Sequence, residues 1–269
     1  MTLPKKFDML WLYAIIFIMF LYGPVLLMPV FALNDGTFAT FPLKGFTVKN
    51  FASMAANTSM ILAFQTSVKI AVSVAVLSTV LAMPAALALT RYRLPGGGPI
   101  QSFMMLPLVI PSIVIGVALL VIILKIFGIQ LSLWTVAAGH VLICIPFCMS
   151  VLMSRLEGFD PSLEEASSDL GCSAWQTFWR LTFPLALPGV ISSLLMGFII
   201  SFDEFVIAFF LTGTENTLPV YLFSQLRFPN KLPGVLALGS LILVGSAVLV
   251  IAAEIIRKRG APSSNPGDY

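Results

Sequence analysis

The chain has 269 residues, 58% of them hydrophobic and 10% charged, with a formal net charge of +3 and a mean hydropathy of +1.00. Soluble domains of this length carry about 25% charged residues, so most of this surface faces lipid rather than water. The scattered charge excludes a nucleic-acid face, three cysteines (Cys144, Cys148, Cys172) give no disulfide framework, and a single histidine in an apolar block, His140, leaves no nucleophile–His–acid set.

Crossing about 30 Å of hydrocarbon takes about 20 helical residues. Six charge-poor stretches qualify: Asp8 to Asp35, Ile70 to Thr90 with a helical lead-in from Thr58, Arg93 to Lys125, Lys125 to Arg155, the run after Arg180 that meets Asp203, and Lys231 to Glu254. The expected fold is an all-α membrane protein of about six transmembrane helices. The first stretch is longer than the apolar core of a signal peptide and no small-x-small site follows it, so it reads as a retained span. With both termini cytoplasmic, nine basic residues lie inside (Lys5, Lys6, Arg91, Arg93, Arg155, Arg180, Arg257, Lys258, Arg259) and six outside (Lys44, Lys49, Lys69, Lys125, Arg227, Lys231); that asymmetry favours this orientation. Pro24, Pro84, Pro107, Pro111, Pro146 and Pro188 fall inside the stretches and predict kinks.

Along the fourth stretch, His140, Cys144 and Cys148 recur every four residues. Three ligands in a row on one straight helix converge poorly on an ion, so no metal site is expected there and the residues read as packing groups.

The cytoplasmic loop from Arg155 to Arg180 carries the densest signals. Asp160-Pro161 and Ser162-x-x-Glu165 are helix-start patterns, Ser173-x-x-Gln176 is a capping box, and Gly171 stands between them where a helix end takes a left-handed residue. The loop reads as helix, glycine turn, helix. Its second helix puts Trp175, Phe178 and Trp179 on one face, which suits either a partner interface or packing on the protein's own spans at headgroup level.

At Glu165-Ala166-Ser167-x-x-x-Gly171, followed after nine residues by Leu181-x-Phe183-Pro184, the chain resembles the coupling motif of ATP-binding-cassette importer permeases, Glu-Ala-Ala-x3-Gly-x9-Ile-x-Leu-Pro. It departs at Ser167, Leu181 and Phe183. Gly45-Phe46-Thr47-x-x-Asn50-Phe51 and Ala88-Leu89-x-Arg91-Tyr92-Arg93 with Gly96 extend the likeness. Ser154-Arg155-Leu156-x-Gly158-Phe159-Asp160, Asp169-Leu170-Gly171, the acidic pair Asp203-Glu204, Phe209-x-x-Thr212-Gly213 and Leu218-Pro219 resemble the spermidine/putrescine permease C subgroup.

The resemblance implies a type I importer transmembrane domain: residues 1–57 form the first span and an external segment, and 58–260 a permease core of five spans with the coupling loop 155–180; residues 261–269 read by composition as a disordered tail. It implies that Glu164, Glu165, Ala166, Asp169, Gly171 and Pro184 couple to an ATPase dimer, and that ATP and Mg are held there, with no cofactor on this chain. The implied partners are that dimer, a second and different permease chain, a periplasmic or extracellular solute-binding protein, and lipid. The implied location is the bacterial inner (cytoplasmic) membrane.

Asp203 and Glu204 are followed by further apolar residues, which places them inside the outer half of the membrane. A carboxylate there costs about 2.5–3.5 kcal/mol on insertion scales, so it faces a cavity or a partner. Either residue can attract a cationic solute such as a polyamine along the pathway. The alternative is structural: a hydrogen bond to a broken helix, or a pair with a base such as Arg227. Other small solutes (an amino-acid derivative, an aminophosphonate, a metal complex) fit the same importer class. A self-sufficient transporter or channel would call for more intramembrane charge or an internal repeat, and a membrane enzyme for a catalytic constellation; neither is visible.

Overall fold

A computed structural model describes residues 9–36, 38–92, 94–158, 160 and 162–245. Lys5, Lys6, Arg93, Pro161, the end of the sixth apolar stretch, the basic cluster at 257–259 and the tail 261–269 lie outside these residues. Among the described residues the chain is helical, and the isolated antiparallel bridge between Asn34 and Phe46 is its one strand-like pairing.

Four helices are long and apolar enough to span a membrane: Met9–Ala32, Thr58–Arg91, Leu133–Leu156 and Ala174–Asp203; Ser112–Ile126 and Pro229–Gly245 are shorter apolar helices. Together they account for the six expected stretches. The contacts gather into two compact units, residues 59–221 and residues up to 58 with those from 222 onward.

In the second of these units, helix α1 (Met9–Ala32) is apolar on every side and buries only Ala32, as a helix solvated by lipid does. Its open C-terminal end is closed by the segment that follows. Asn50, in helix α2 (Lys49–Ala55), donates to the Ala32 carbonyl at 2.8 Å and to that of Asn34 at 3.0 Å. The Asn34 amide in turn accepts from Lys44 N–H at 3.0 Å. Last-turn carbonyls that lack an intrahelical donor are satisfied in this way.

The unit 59–221 holds the core. Helix α3 (Thr58–Arg91) turns a stripe of small residues inward, among them Ala71, Ala75, Ser78, Ala82 and Ala86, which lets neighbouring backbones approach closely. The third stretch is broken rather than kinked. It forms α4 (Gly97–Met104), α5 (Leu106–Val109) and α6 (Ser112–Val121), continued by a π-turn over Ile122–Ile126. Pro111 is the cause: the residue before a proline is driven out of the helical region, and Ile110 is extended at ψ 129°. Helix α7 (Leu133–Leu156) starts at a Ser132–Thr135 capping box.

Two apolar clusters fill the unit. One gathers Ile70, Val74, Val136, Ile143, Ile207 and Leu211. The other gathers Met83, Met149, Leu152 and Leu156 with Phe178 and Phe183 against it.

Candidate coupling and pathway site

The loop folds as its caps dictate. Helix α8 (Ser162–Asp169) starts where Asp160 Oδ1 accepts the Ser162 N–H at 2.9 Å. It ends in a complete glycine stop: Gly171 N–H reaches Ser168 O at 2.9 Å, Cys172 N–H reaches Ser167 O at 3.1 Å, and Gly171 has φ +83°. This left-handed closure reverses the chain and satisfies the last carbonyls. Helix α9 (Ala174–Thr177) opens at the capping box, with Ser173 N–H on Gln176 Oε1 at 2.9 Å and Gln176 N–H on Ser173 Oγ at 3.4 Å. A π-turn over Phe178–Thr182 leads into α10 (Phe183–Asp203), which has Pro184 in its first turn.

Helix α8 has two unlike faces. Glu165, Ala166, Asp169 and Leu170 are exposed, with Leu170 86% exposed. Glu164 and Ser167 face the bundle. Ser167 Oγ lies 2.9 Å from Thr177 Oγ1. Glu164 Oε2 is 3.3 Å from Arg91 Nε, and Glu164 Oε1 accepts from Thr182 Oγ1 at 2.9 Å.

The six residues implied in coupling therefore divide by position. Glu165, Ala166 and Asp169 share the open face, Gly171 makes the turn, Pro184 starts α10, and Glu164 is held inside. The loop aromatics also divide. Trp175 is 70% exposed, whereas Phe178 packs on the core, and rings run from Trp175 to Trp179 at 5.6 Å and on to Phe183 at 5.0 Å.

The acidic pair sits at a second break. Helix α10 stops at Asp203, Glu204 is extended at ψ 110°, and α11 (Val206–Leu211) starts afresh. No proline or glycine lies there, so tertiary contacts make the break. Before it, Ser201 Oγ lies 2.9 Å from Nδ1 of the fully buried His140. After it, Thr135 Oγ1 donates to Leu211 O at 2.8 Å. A Cβ on Gly139 would meet Ile207 Cγ2 at 2.6 Å, so α7 holds α11 at close range.

Glu204 Oε1 accepts the Ile207 N–H at 3.0 Å and caps α11. Asp203 is exposed on the end of α10. Neither carboxylate is in an ion pair among the described residues. The pair thus has two different placements, one side chain turned back to the backbone and one open.

The face of α7 that carries His140, Cys144 and Cys148 packs on α10. Cys144 Sγ lies 3.8 Å from Gly197 O and Cys148 Sγ 3.6 Å from Ser193 O. Thr79 of α3 joins this seam through Ser193 Oγ at 3.0 Å.

Residues 78–260 match the family model described as binding-protein-dependent transport system inner membrane component. The chain is 34% identical over 250 residues to the spermidine/putrescine transport system permease protein PotC of Escherichia coli K12, covering 93% of each chain. It is 30% identical over 247 residues to the putrescine transport system permease protein PotI of the same organism, covering 89% of this chain and 87% of that one. The crystal structure of a bacterial ABC transporter involved in the import of the acidic polysaccharide alginate matches with a TM-score of 0.70 at 15% identity, covering 97% of this chain and 100% of that chain; this likeness speaks to the fold alone. With its apolar helices and the Glu165–Pro184 motif, the chain belongs to the binding-protein-dependent inner-membrane component family, as a multi-pass permease subunit of an ABC importer and not an enzyme.

Proposed function

We propose that this permease forms half of the translocation pathway for the polyamines putrescine and spermidine. The observation that carries the reading is likeness to permeases named for these solutes along 93% of the chain. The open carboxylate of Asp203, at a helix break in an apolar surround, suits a di- or tri-cation, because an anionic group in a low-dielectric passage favours positive charge.

In the same reading, the exposed face of α8 (Glu165, Ala166, Asp169) docks on a separate ATPase dimer, which supplies ATP and Mg. A second, different permease chain completes the pathway, and an external binding protein delivers the solute. Both termini are cytoplasmic, in keeping with the basic-residue asymmetry. Glu204 is a helix cap in this scheme, and Asp203 is the residue that meets the solute.

The test is uptake of labelled putrescine and spermidine in cells lacking this chain, restored by wild type or by Asp203→Asn. Uptake restored by wild type, and about tenfold weaker with the amide, is expected. Absence of polyamine uptake with all partners expressed refutes the substrate. Equal uptake by the two proteins refutes the role of Asp203.

A further inference from the structure

Glu164 stands one residue before the coupling motif, yet its carboxylate points away from the open face of α8. It meets Arg91, the last residue of α3, and Thr182, in the π-turn just before α10. The same Arg91 guanidinium donates through Nη2 to Leu156 O at 3.0 Å, the last residue of α7. One ion pair therefore touches the cytoplasmic ends of α3, α7 and α10 and the first turn of α8. Its side chains are 10% and 23% exposed for Arg91 and Glu164, and Thr182 is 3% exposed.

Two physical features set this pair apart from a surface ion pair. The guanidinium serves the carboxylate and an orphan backbone position at once, since Leu156 O is a last-turn carbonyl of α7 with no intrahelical donor. The carboxylate accepts a hydroxyl as well as the guanidinium, so removing either charge leaves the other group partly buried without its counter-charge. Other links from α8 into the bundle, among the described residues, are lighter. Ser167 and Thr177 share one neutral hydrogen bond, and the chain connection through Gly171 is a turn at an open, exposed position.

We infer that the Arg91–Glu164 pair is the latch that delivers displacement of α8 to α3 and α7 as well as to α10. This rests on the reading that α8 docks on an ATPase. Covalently, α8 pulls only on its neighbours in sequence, α7 and α9–α10. The latch adds α3 as a third helix and ties all of them to one rigid corner. Arg91 and Glu164 are positioning residues; neither meets the ATPase or the solute. Loss of the latch leaves the docking face intact and lets α8 move without the bundle, so ATP is hydrolysed without transport.

The test uses the whole importer, with its ATPase, partner permease and binding protein, in proteoliposomes. It compares wild type with Glu164→Gln, Arg91→Gln and the double variant, reading ATPase co-purification, ATP hydrolysis and labelled putrescine uptake. Co-purification as in wild type, with uptake per ATP lower by about tenfold in each single variant and no further loss in the double, is expected. Uptake per ATP within about twofold of wild type in both singles, or losses that multiply in the double, overturns the latch. Thr182→Val removes one hydrogen bond and no charge. It decides the matter if the glutamine variants do not assemble: a fall in uptake per ATP at full assembly supports the latch, and none overturns it. Failure of the ATPase to co-purify with wild type refutes the docking reading itself, a distinct outcome.

Discussion

Replacing Gly171 separates backbone strain from packing. Its φ of +83° is left-handed, and a Cβ built there meets nothing within 4 Å. A side chain therefore costs only the left-handed penalty, about 1–2 kcal/mol for an ordinary L-residue. Asparagine visits this region more readily, and a β-branched residue does so least. If docking on the ATPase selects the closed turn, that penalty is paid on binding, and the apparent affinity falls about 5- to 30-fold for Gly171→Ala. The order of loss is asparagine, then alanine, then valine. The assay is titration of the purified ATPase subunit against detergent-solubilised permease complex. Equal affinity for all three variants and wild type refutes the argument, as does asparagine behaving like valine.

Other expectations follow from the two breaks and the close crossings. Glu204→Leu removes the cap on the Ile207 N–H and destabilises α11 by about 1 kcal/mol, whereas Glu204→Gln keeps an acceptor; amide exchange of residues 206–208 tells them apart. Gly139→Val drives methyl groups into Ile207 and Leu211 and costs about 1–3 kcal/mol, visible as a lower midpoint in detergent melting, with Gly98→Val, where a Cβ meets nothing within 4 Å and φ is not left-handed, as the uncrowded control. Asp160 is held below its ordinary carboxylate value of 3.8 by the Ser162 N–H it accepts. Its support for the start of α8 is therefore present above that value and lost as pH falls through the lower folded one. Exchange protection at the start of α8 should decline with acid in the wild type and stay flat in Asp160→Asn.

Legibility in the sequence followed the range of the cause. The caps at Asp160, Gly171 and Ser173 were readable because each is set by residues within four positions, and the backbone adopts them. The break between α5 and α6 had its cause in view at Pro111, yet the apolar run around it read as one continuous span. The break after Asp203 carried no breaker, only the local cap of Glu204 on the Ile207 N–H. It depends on His140, Thr135 and Gly139, over 60 residues earlier, and the Ser-Phe-Asp-Glu-Phe sequence there carries no breaker. For the same reason Glu164 reads as one more acid on an acidic loop. Its partner Arg91 lies 73 positions away, and only the folded chain brings them together. Asn50 was visible as part of a resemblance; its work as a cap on the end of α1 was not.

The length of α3 has a mechanical meaning. Its 34 residues make a rod of about 51 Å, well beyond the hydrocarbon thickness of about 30 Å. Lys69 and Arg91 lie about 33 Å apart along it, leaving about 16 Å of helix projecting beyond Lys69. That projecting part carries Ser67, whose hydroxyl accepts the Leu218 N–H at 2.7 Å, so the start of helix α12 (Leu218–Gln225) leans on it. A 10° tilt about the Arg91 end would carry the far tip through about 9 Å. A small rotation on one side of the membrane would thus arrive on the other as a displacement on the scale of a small solute, with no intervening joint except the bend that Pro84 allows.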